Sequence, residues 1–472
     1  MHTLHYDFER ILCMLTKIKL LIQSTFIYTI YLFFVRNYRK AKKNIKKEWR
    51  KRTDPIYRYY VLKLLYPRIY KKYSKLPVDE KKVVFVEIRL PNLTNSYKVL
   101  YDELYQNYDF DLHCHFLRNT YVNRTQYRRR CKAFIKDIAT AKYVFMDEAT
   151  NIMGNFKMRE ETVVTQLWHG CGAFKKFGYS TADAIFGATR EEMDKYPFNR
   201  NYTNVTVSSP EVIWAYEEAM NYTHESGVVK ALGSSRTDVF YDEDFIKAAY
   251  DALYEVMPQA KGKKVILYAP TFRGRVAKAT TPRILNIELL KYVLGDEYVV
   301  ITKHHPLVRK RPQIPVNCED FAMDLTEGLS IEELLCVADI CVSDYSSLVF
   351  EYSLFEKPMV FLAHDLETFF DWRGFYYDYH ELAPGPVVNN TIELLDYVTN
   401  IEEKFDKKRV QDFRQKFMSS CDGHATEKII NECMTKEAQE KYKKAEPLKK
   451  DKYHLIPNAD DFDGKKYTFE KC

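Results

Sequence analysis

What is scarce in this chain narrows its reading first. Ten cysteines are spread from Cys13 to Cys472 without one C-x-x-C pair. That argues against a zinc ribbon or a dithiol redox motif and fits a reducing compartment with buried thiols. The chain has no G-x-x-x-x-G-K-[ST], no G-x-G-x-x-G after a strand pattern, no H-E-x-x-H and no G-x-S-x-G. P-loop hydrolysis, a common NAD fingerprint, zincin chemistry and the usual esterase elbow are therefore disfavoured. Only 15 glycines and 17 prolines occur in 472 residues, which describes an ordinary folded protein. Near the N-terminus the apolar or uncharged stretch Leu20–Val35 is sixteen residues long, short of the roughly 20 that a spanning helix needs.

What is present begins with an uneven charge. Residues 1–52 hold 13 Lys/Arg against 3 Asp/Glu, and the whole chain carries +7. The positive charge thus belongs to the N-terminus, whereas a nucleic-acid binder spreads its basic stripe over a folded domain. Arg36–Arg52 alone supplies ten cations and one glutamate directly after the apolar stretch. No small-residue cleavage site follows Val35, so a secretory signal does not fit. The expected arrangement is peripheral attachment to the anionic cytoplasmic leaflet of the cell membrane, with a single span or a solvated helix as alternatives.

Beyond the connector 53–80, short apolar runs alternate with helical stretches. Strands are expected at 83–89, 110–117, 142–148, 162–168, 182–189, 204–209 and 227–233, with helices at 96–106, 127–141 and 210–220. A second series runs through strands 263–272, 297–306, 339–346 and 357–363 with helices 284–294, 330–338 and 348–355. Such alternation predicts β-α-β units and parallel sheets. The fold class is therefore α/β, two Rossmann-like doubly wound domains at 81–258 and 259–435 facing a cleft, with a polar tail at 436–472.

Ligands of doubly wound sheets sit beyond the carboxyl ends of the strands. After 162–168 comes His169-Gly170-Cys171-Gly172, an imidazole in a glycine turn, followed by Lys175 and Lys176. After 297–303 stands Lys303-His304-His305-Pro306, where one of the two histidines should face the cleft. After 339–343 comes Asp344-Tyr345-Ser346-Ser347 at the start of a helix, and Arg273 follows 263–272. Each strand end has a bland alternative, as N-cap, turn or solvated loop. Four imidazole- or anion-seeking strand ends on one cleft suit transfer from a nucleotide-diphosphate donor.

With these residues assembled, the chain resembles the CDP-glycerol glycerophosphotransferases, enzymes that prime and polymerise teichoic acids. The blocks that carry the resemblance are LYAPTFRG, TKHHP, ICVSDYSSLVFEYSLFEKPMVFLAHDLETFFDWRGFYYDY and APGPVVNNTIELLDYV, together with QLWHGCGAFKKFG in the first half. It implies a GT-B architecture, a CDP-glycerol or CDP-ribitol donor and a lipid-linked polyol-phosphate acceptor. It also implies His169 as base, His305 near the donor pyrophosphate, and Arg273, Lys303, Ser346 and Ser347 on donor phosphates. Asp344 would order that loop and Glu332 would bind ribose. Gly170, Lys175 and Lys176 fall on the acceptor side, the glycines clearing space for the acceptor chain. No dedicated metal site or cofactor is expected, any Mg²⁺ being carried loosely by the donor pyrophosphate. Where many relatives read W-H-G-T-P, this chain has Trp168-His169-Gly170-Cys171-Gly172-Ala173, which touches the acceptor side. A nucleotide-sugar glycosyltransferase and a non-catalytic scaffold are the competing readings.

Overall fold

The computed structural model describes residues 51–118, 122–184, 187–274 and 279–448, with a few isolated positions before residue 51. All of Leu20–Val35 but its last residue, and most of Arg36–Arg52, lies outside the described residues. Among the described residues no helix is long and apolar enough to cross a membrane. The chain divides into two units, Met1–Leu65 and Tyr66–Cys472. In the first, helical residues 51–59 run into a π-helical turn at Tyr60–Leu65.

The second unit holds both sheets. In the first sheet, β1 (Asp79–Glu87), β2 (Asp111–Phe116), β3 (Ala141–Met146), β4 (Val163–Gln166), β5 (Asn204–Thr206) and β6 (Val229–Lys230) lie in the order β2-β1-β3-β4-β5-β6. In the second, β7 (Lys264–Tyr268), β8 (Tyr298–Thr302), β9 (Ala322–Asp324), β10 (Ile340–Ser343), β11 (Met359–Leu362) and β12 (Val387–Val388) are ordered β12-β11-β10-β7-β8-β9. The pairs are parallel, with Val86 against Met146 and Tyr268 against Val342. Parallel strands covered on both faces read as unbroken apolar runs, and Val83–Val86 are accordingly fully buried. The order reverses between β1 and β3 in one sheet and between β7 and β10 in the other. Those reversals open the crevices in which such folds bind ligands.

Several expected strands are shorter in the structure, because the polar residues at their carboxyl ends leave the ladder for loops. The strand expected at 182–189 is not found among its described residues, which are turn, bend or irregular. Asp183 there has φ +64, which no strand permits. The two short edge strands β9 and β12 escaped the apolar-run criterion. The C-terminal helix Ala425–Cys433 returns to the first sheet, where Ile429, Ile430 and Cys433 share one core with Phe85, Tyr97 and Leu100. The start of the expected loose tail is docked as well. Lys436–Tyr442 is a helix, Tyr442 lies 5.0 Å from the Phe110 ring, and its carbonyl accepts from Asp109 N at 2.7 Å. Residues 449–472 lie outside the described residues.

Candidate active site

The loop after β4 carries the first imidazole. Trp168 sits at φ +58, a left-handed conformation that costs a bulky residue of order 1–3 kcal/mol. Two contacts hold it: its N–H donates to Gln166 Oε1 at 3.0 Å, and its indole stacks between His169 (4.5 Å) and Phe177 (4.9 Å). This turn projects His169 into solvent with its Nδ1 2.9 Å from the carbonyl oxygen of Asp147. A carbonyl only accepts, so Nδ1 carries the hydrogen and the neutral ring keeps its basic lone pair on Nε2.

The second imidazole is prepared in the opposite sense. His304 points inward, 2% exposed, with Nδ1 3.1 Å from Thr281 Oγ1. His305 is the exposed one of the two, against the Phe272 ring at 4.9 Å. Its Nδ1 accepts from the Leu307 N–H at 3.1 Å, which leaves the neutral ring's hydrogen on Nε2. Surrounding protein, and after it the positive charges of Lys175 and Arg89, push its pKa down to about 4. At neutral pH His305 is an uncharged hydrogen-bond donor.

Between them the loops after β7 and β10 are tied by carboxylates. Asp344 Oδ1 accepts from the backbone N–H groups of Thr271 (2.7 Å) and Tyr345 (2.6 Å) and is 1% exposed. Arg273 does not point at an open phosphate position. Its guanidinium grips Asp365 in bidentate fashion at 2.6 and 2.8 Å and meets Asp344 at 2.9 Å. It also lies over the Tyr345 and Phe369 rings. Its charge is matched by two carboxylates, so it shapes the loop. Ser346 and Ser347 remain half-exposed, and Ser347 makes no side-chain cap on the following helix Leu348–Tyr352.

Lys303 and Glu332 take structural duties. Lys303 Nζ donates to the carbonyls of Leu325 (3.1 Å), Thr326 (3.0 Å) and Leu329, so its three hydrogens are spent on one loop. Burial lowers its pKa, against the pull of Glu332 and other nearby acids. Glu332, 2% exposed, is gripped by Arg236 at 2.6 Å and by Asn95. Arg236 also reaches Glu351 at 3.4 Å and donates to the His169 carbonyl at 2.8 Å. One guanidinium therefore joins the imidazole loop of the first sheet to two helices beside the second. Ribose binding by Glu332 and phosphate binding by Lys303 are not what this geometry provides.

The glycines are explained differently from expectation. A Cβ on Gly172, at φ +65, would meet the Phe350 ring at 2.3 Å, and one on Gly170 would meet Ser347 Oγ at 3.1 Å. They clear space for the opposite half of the protein, bringing the His169 loop against the serine loop. Lys175 and Lys176 continue this contact by pairing with Phe375 and Gly374: Lys176 N donates to Gly374 O, and Tyr376 N to Phe174 O, both at 3.1 Å. Arg89, Glu148, Arg236 and Asp365, which sequence reasoning did not single out, all lie within a few residues after a strand. The strand-end rule identifies them once applied to β1, β3, β6 and β11. Among the described residues no group of three or more His, Cys, Asp or Glu is placed to hold a metal ion.

Residues 68–435 match the sequence family described as CDP-Glycerol:Poly(glycerophosphate) glycerophosphotransferase. A teichoic acid ribitol-phosphate primase of Bacillus spizizenii is 33% identical over 79% of this chain and 95% of its own length. A teichoic acid poly(ribitol-phosphate) polymerase of the same organism is 34% identical over 79% of this chain, which spans 59% of that longer protein. The solved wall teichoic acid polymerase TagF superposes with a TM-score of 0.65 at 21% identity, over 86% of this chain and 99% of that one. That likeness establishes a shared fold.

Proposed function

Given that the chain belongs to the CDP-glycerol:poly(glycerophosphate) glycerophosphotransferase family, we propose that it moves a polyol phosphate from a CDP-polyol to an acceptor hydroxyl in teichoic acid synthesis. The observation that carries this reading is the seating of the His169–Gly170 turn against Ser347. It brings a basic imidazole of one sheet to the serine loop at the crevice of the other. His169 Nε2 takes the proton of the acceptor hydroxyl, and the oxygen attacks the polyol-bearing β-phosphorus. A new P–O bond forms, the bond to the CMP oxygen breaks, and CMP leaves with the electron pair. His305, donating from Nε2, and the Ser346 and Ser347 hydroxyls meet the charge that develops on phosphate oxygens. Lys175 and Lys176 bias the cleft toward an anionic acceptor.

Ribitol is the favoured polyol, because the two relatives above are a ribitol-phosphate primase and a poly(ribitol-phosphate) polymerase. Glycerol is the second reading, supported by the family description. Supplying CDP-ribitol and CDP-glycerol separately with a polyol-phosphate lipid acceptor tests both. Acceptor-dependent CMP release from one donor supports the reaction, and turnover of UDP-sugars alone overturns it. The basic N-terminal segment supports attachment to the cytoplasmic membrane face. Removal of residues 1–52 is expected to move the protein from anionic vesicles into the supernatant in a sedimentation assay.

A further inference from the structure

The charged groups around His169 are not equivalent. Arg89 and Glu148 follow β1 and β3, the two strands that flank the crevice of the first sheet, and they form an ion pair. Glu148 Oε1 lies 3.8 Å from His169 Nδ1, on the side of the ring held by the Asp147 carbonyl. The Glu148 side chain is 19% exposed, so its charge is only partly screened. The neighbouring acids are committed elsewhere. The Asp147 carboxylate accepts from Thr94 Oγ1 (2.5 Å) and Tyr97 Oη (2.8 Å), and burial raises its pKa. Glu87 accepts from the N–H groups of Arg89 and Leu90, and burial followed by the charge of Asp147 pushes it to about 7. Arg236 meets the His169 carbonyl, not the ring.

We propose that Glu148 is the positioning residue that sets the basicity of His169, and that Arg89 fixes Glu148 in place. The inference rests on His169 acting as the base. When Nε2 takes the acceptor proton, positive charge spreads over the ring and Glu148 is the carboxylate placed to stabilise it. An opposite charge at this range shifts a titration by about one unit or more. Arg89 keeps the carboxylate ionised and aimed. It also bears on His305, so one cation favours ionised Glu148 and neutral His305 together.

The test measures the pH dependence of kcat/KM for acceptor-dependent CMP release by the full chain, with wild type, Glu148→Gln, Glu148→Asp and Arg89→Gln. Glu148→Gln is expected to lower the plateau about tenfold and move the acidic limb down by about one pH unit, with donor KM unchanged. Glu148→Asp restores most of the rate, and Arg89→Gln falls between. In a His169→Ala background Glu148→Gln should cost nothing further. A rate loss with an unmoved limb, or an equal loss without His169, overturns the proposal while leaving the transferase reading intact. Full activity of His169→Ala alone removes the base assignment itself. Thermal unfolding of each variant separates these results from loss of fold.

Discussion

Two exposed imidazoles follow strands of the two sheets, and their backbone partners decide what each can do. A carbonyl beneath His169 Nδ1 leaves Nε2 as the basic position, while an N–H on His305 Nδ1 makes its Nε2 a donor. Replacing His169 with Ala is therefore expected to lower turnover by ~10²–10⁴-fold, with donor KM little changed, as read by CMP release at saturating donor. For His305, with a pKa near 4, charge plays no part between pH 5 and 8. An amide should then substitute in part: His305→Gln should stay within about tenfold of wild type, while His305→Ala loses ~10²–10³-fold. Equal losses in the two variants would show that the donated hydrogen bond is not what His305 supplies.

At the scale of single elements, the turn after β4 is the most constrained piece of backbone at the site. It holds Trp168 in a left-handed conformation and passes Gly172 against Phe350. Any Cβ at Gly172 meets both an unfavourable φ and an aromatic ring. Gly172→Ala is thus expected to cost at least about 2 kcal/mol and to lower the urea midpoint of unfolding. An unchanged midpoint would mean that the turn is free to relax away from Phe350. The loops after β7 and β10 are held by Asp344 and Asp365 on one guanidinium, Arg273. That cluster, buried at Asp344 and half-buried at Arg273 and Asp365, braces the loop that carries Ser346 and Ser347.

Across the whole second unit, Arg236 joins what the two sheets carry. Breaking a buried ion pair by removing one partner leaves an uncompensated charge and costs about 3–5 kcal/mol, so Arg236→Ala should unfold at markedly lower urea. Glu351 adds a pH dependence. Burial raises its pKa to about 7, with Glu332 acting the same way and Arg236 opposing. The ordinary value is 4.5, so the folded protein binds the proton more tightly than the unfolded chain. Its contribution to stability is present below about pH 4.5 and declines, by at most about 1.4 kcal/mol per pH unit, as pH rises to 7. In Glu351→Gln that part of the slope should vanish from urea midpoints measured across pH 4–8. A wild-type slope retained in the variant would assign it to other groups such as Glu87.

The sequence by itself determined most of the strands and the places of the candidate residues after them, whereas β9, β12 and the absence of a strand among the described residues of 182–189 were decided by the fold. Unbroken apolar runs such as Val83–Val86, alternating with helical stretches, fit buried parallel strands, and polar residues directly after such strands lie at their carboxyl ends. That is why His169, His305, Ser346 and Ser347 were legible as strand-end candidates from spacing and from the family's motif blocks. Only the tertiary structure decided which side chains are available for chemistry. Arg273, Lys303 and Glu332 have the right residue types at the right strand ends, yet Asp365, three loop carbonyls and Arg236 absorb them. Each of those partners is distant in sequence, between 22 and 96 residues away. Local pattern fixes where a charge is placed, but whether it faces a ligand depends on pairings that form only when remote segments meet.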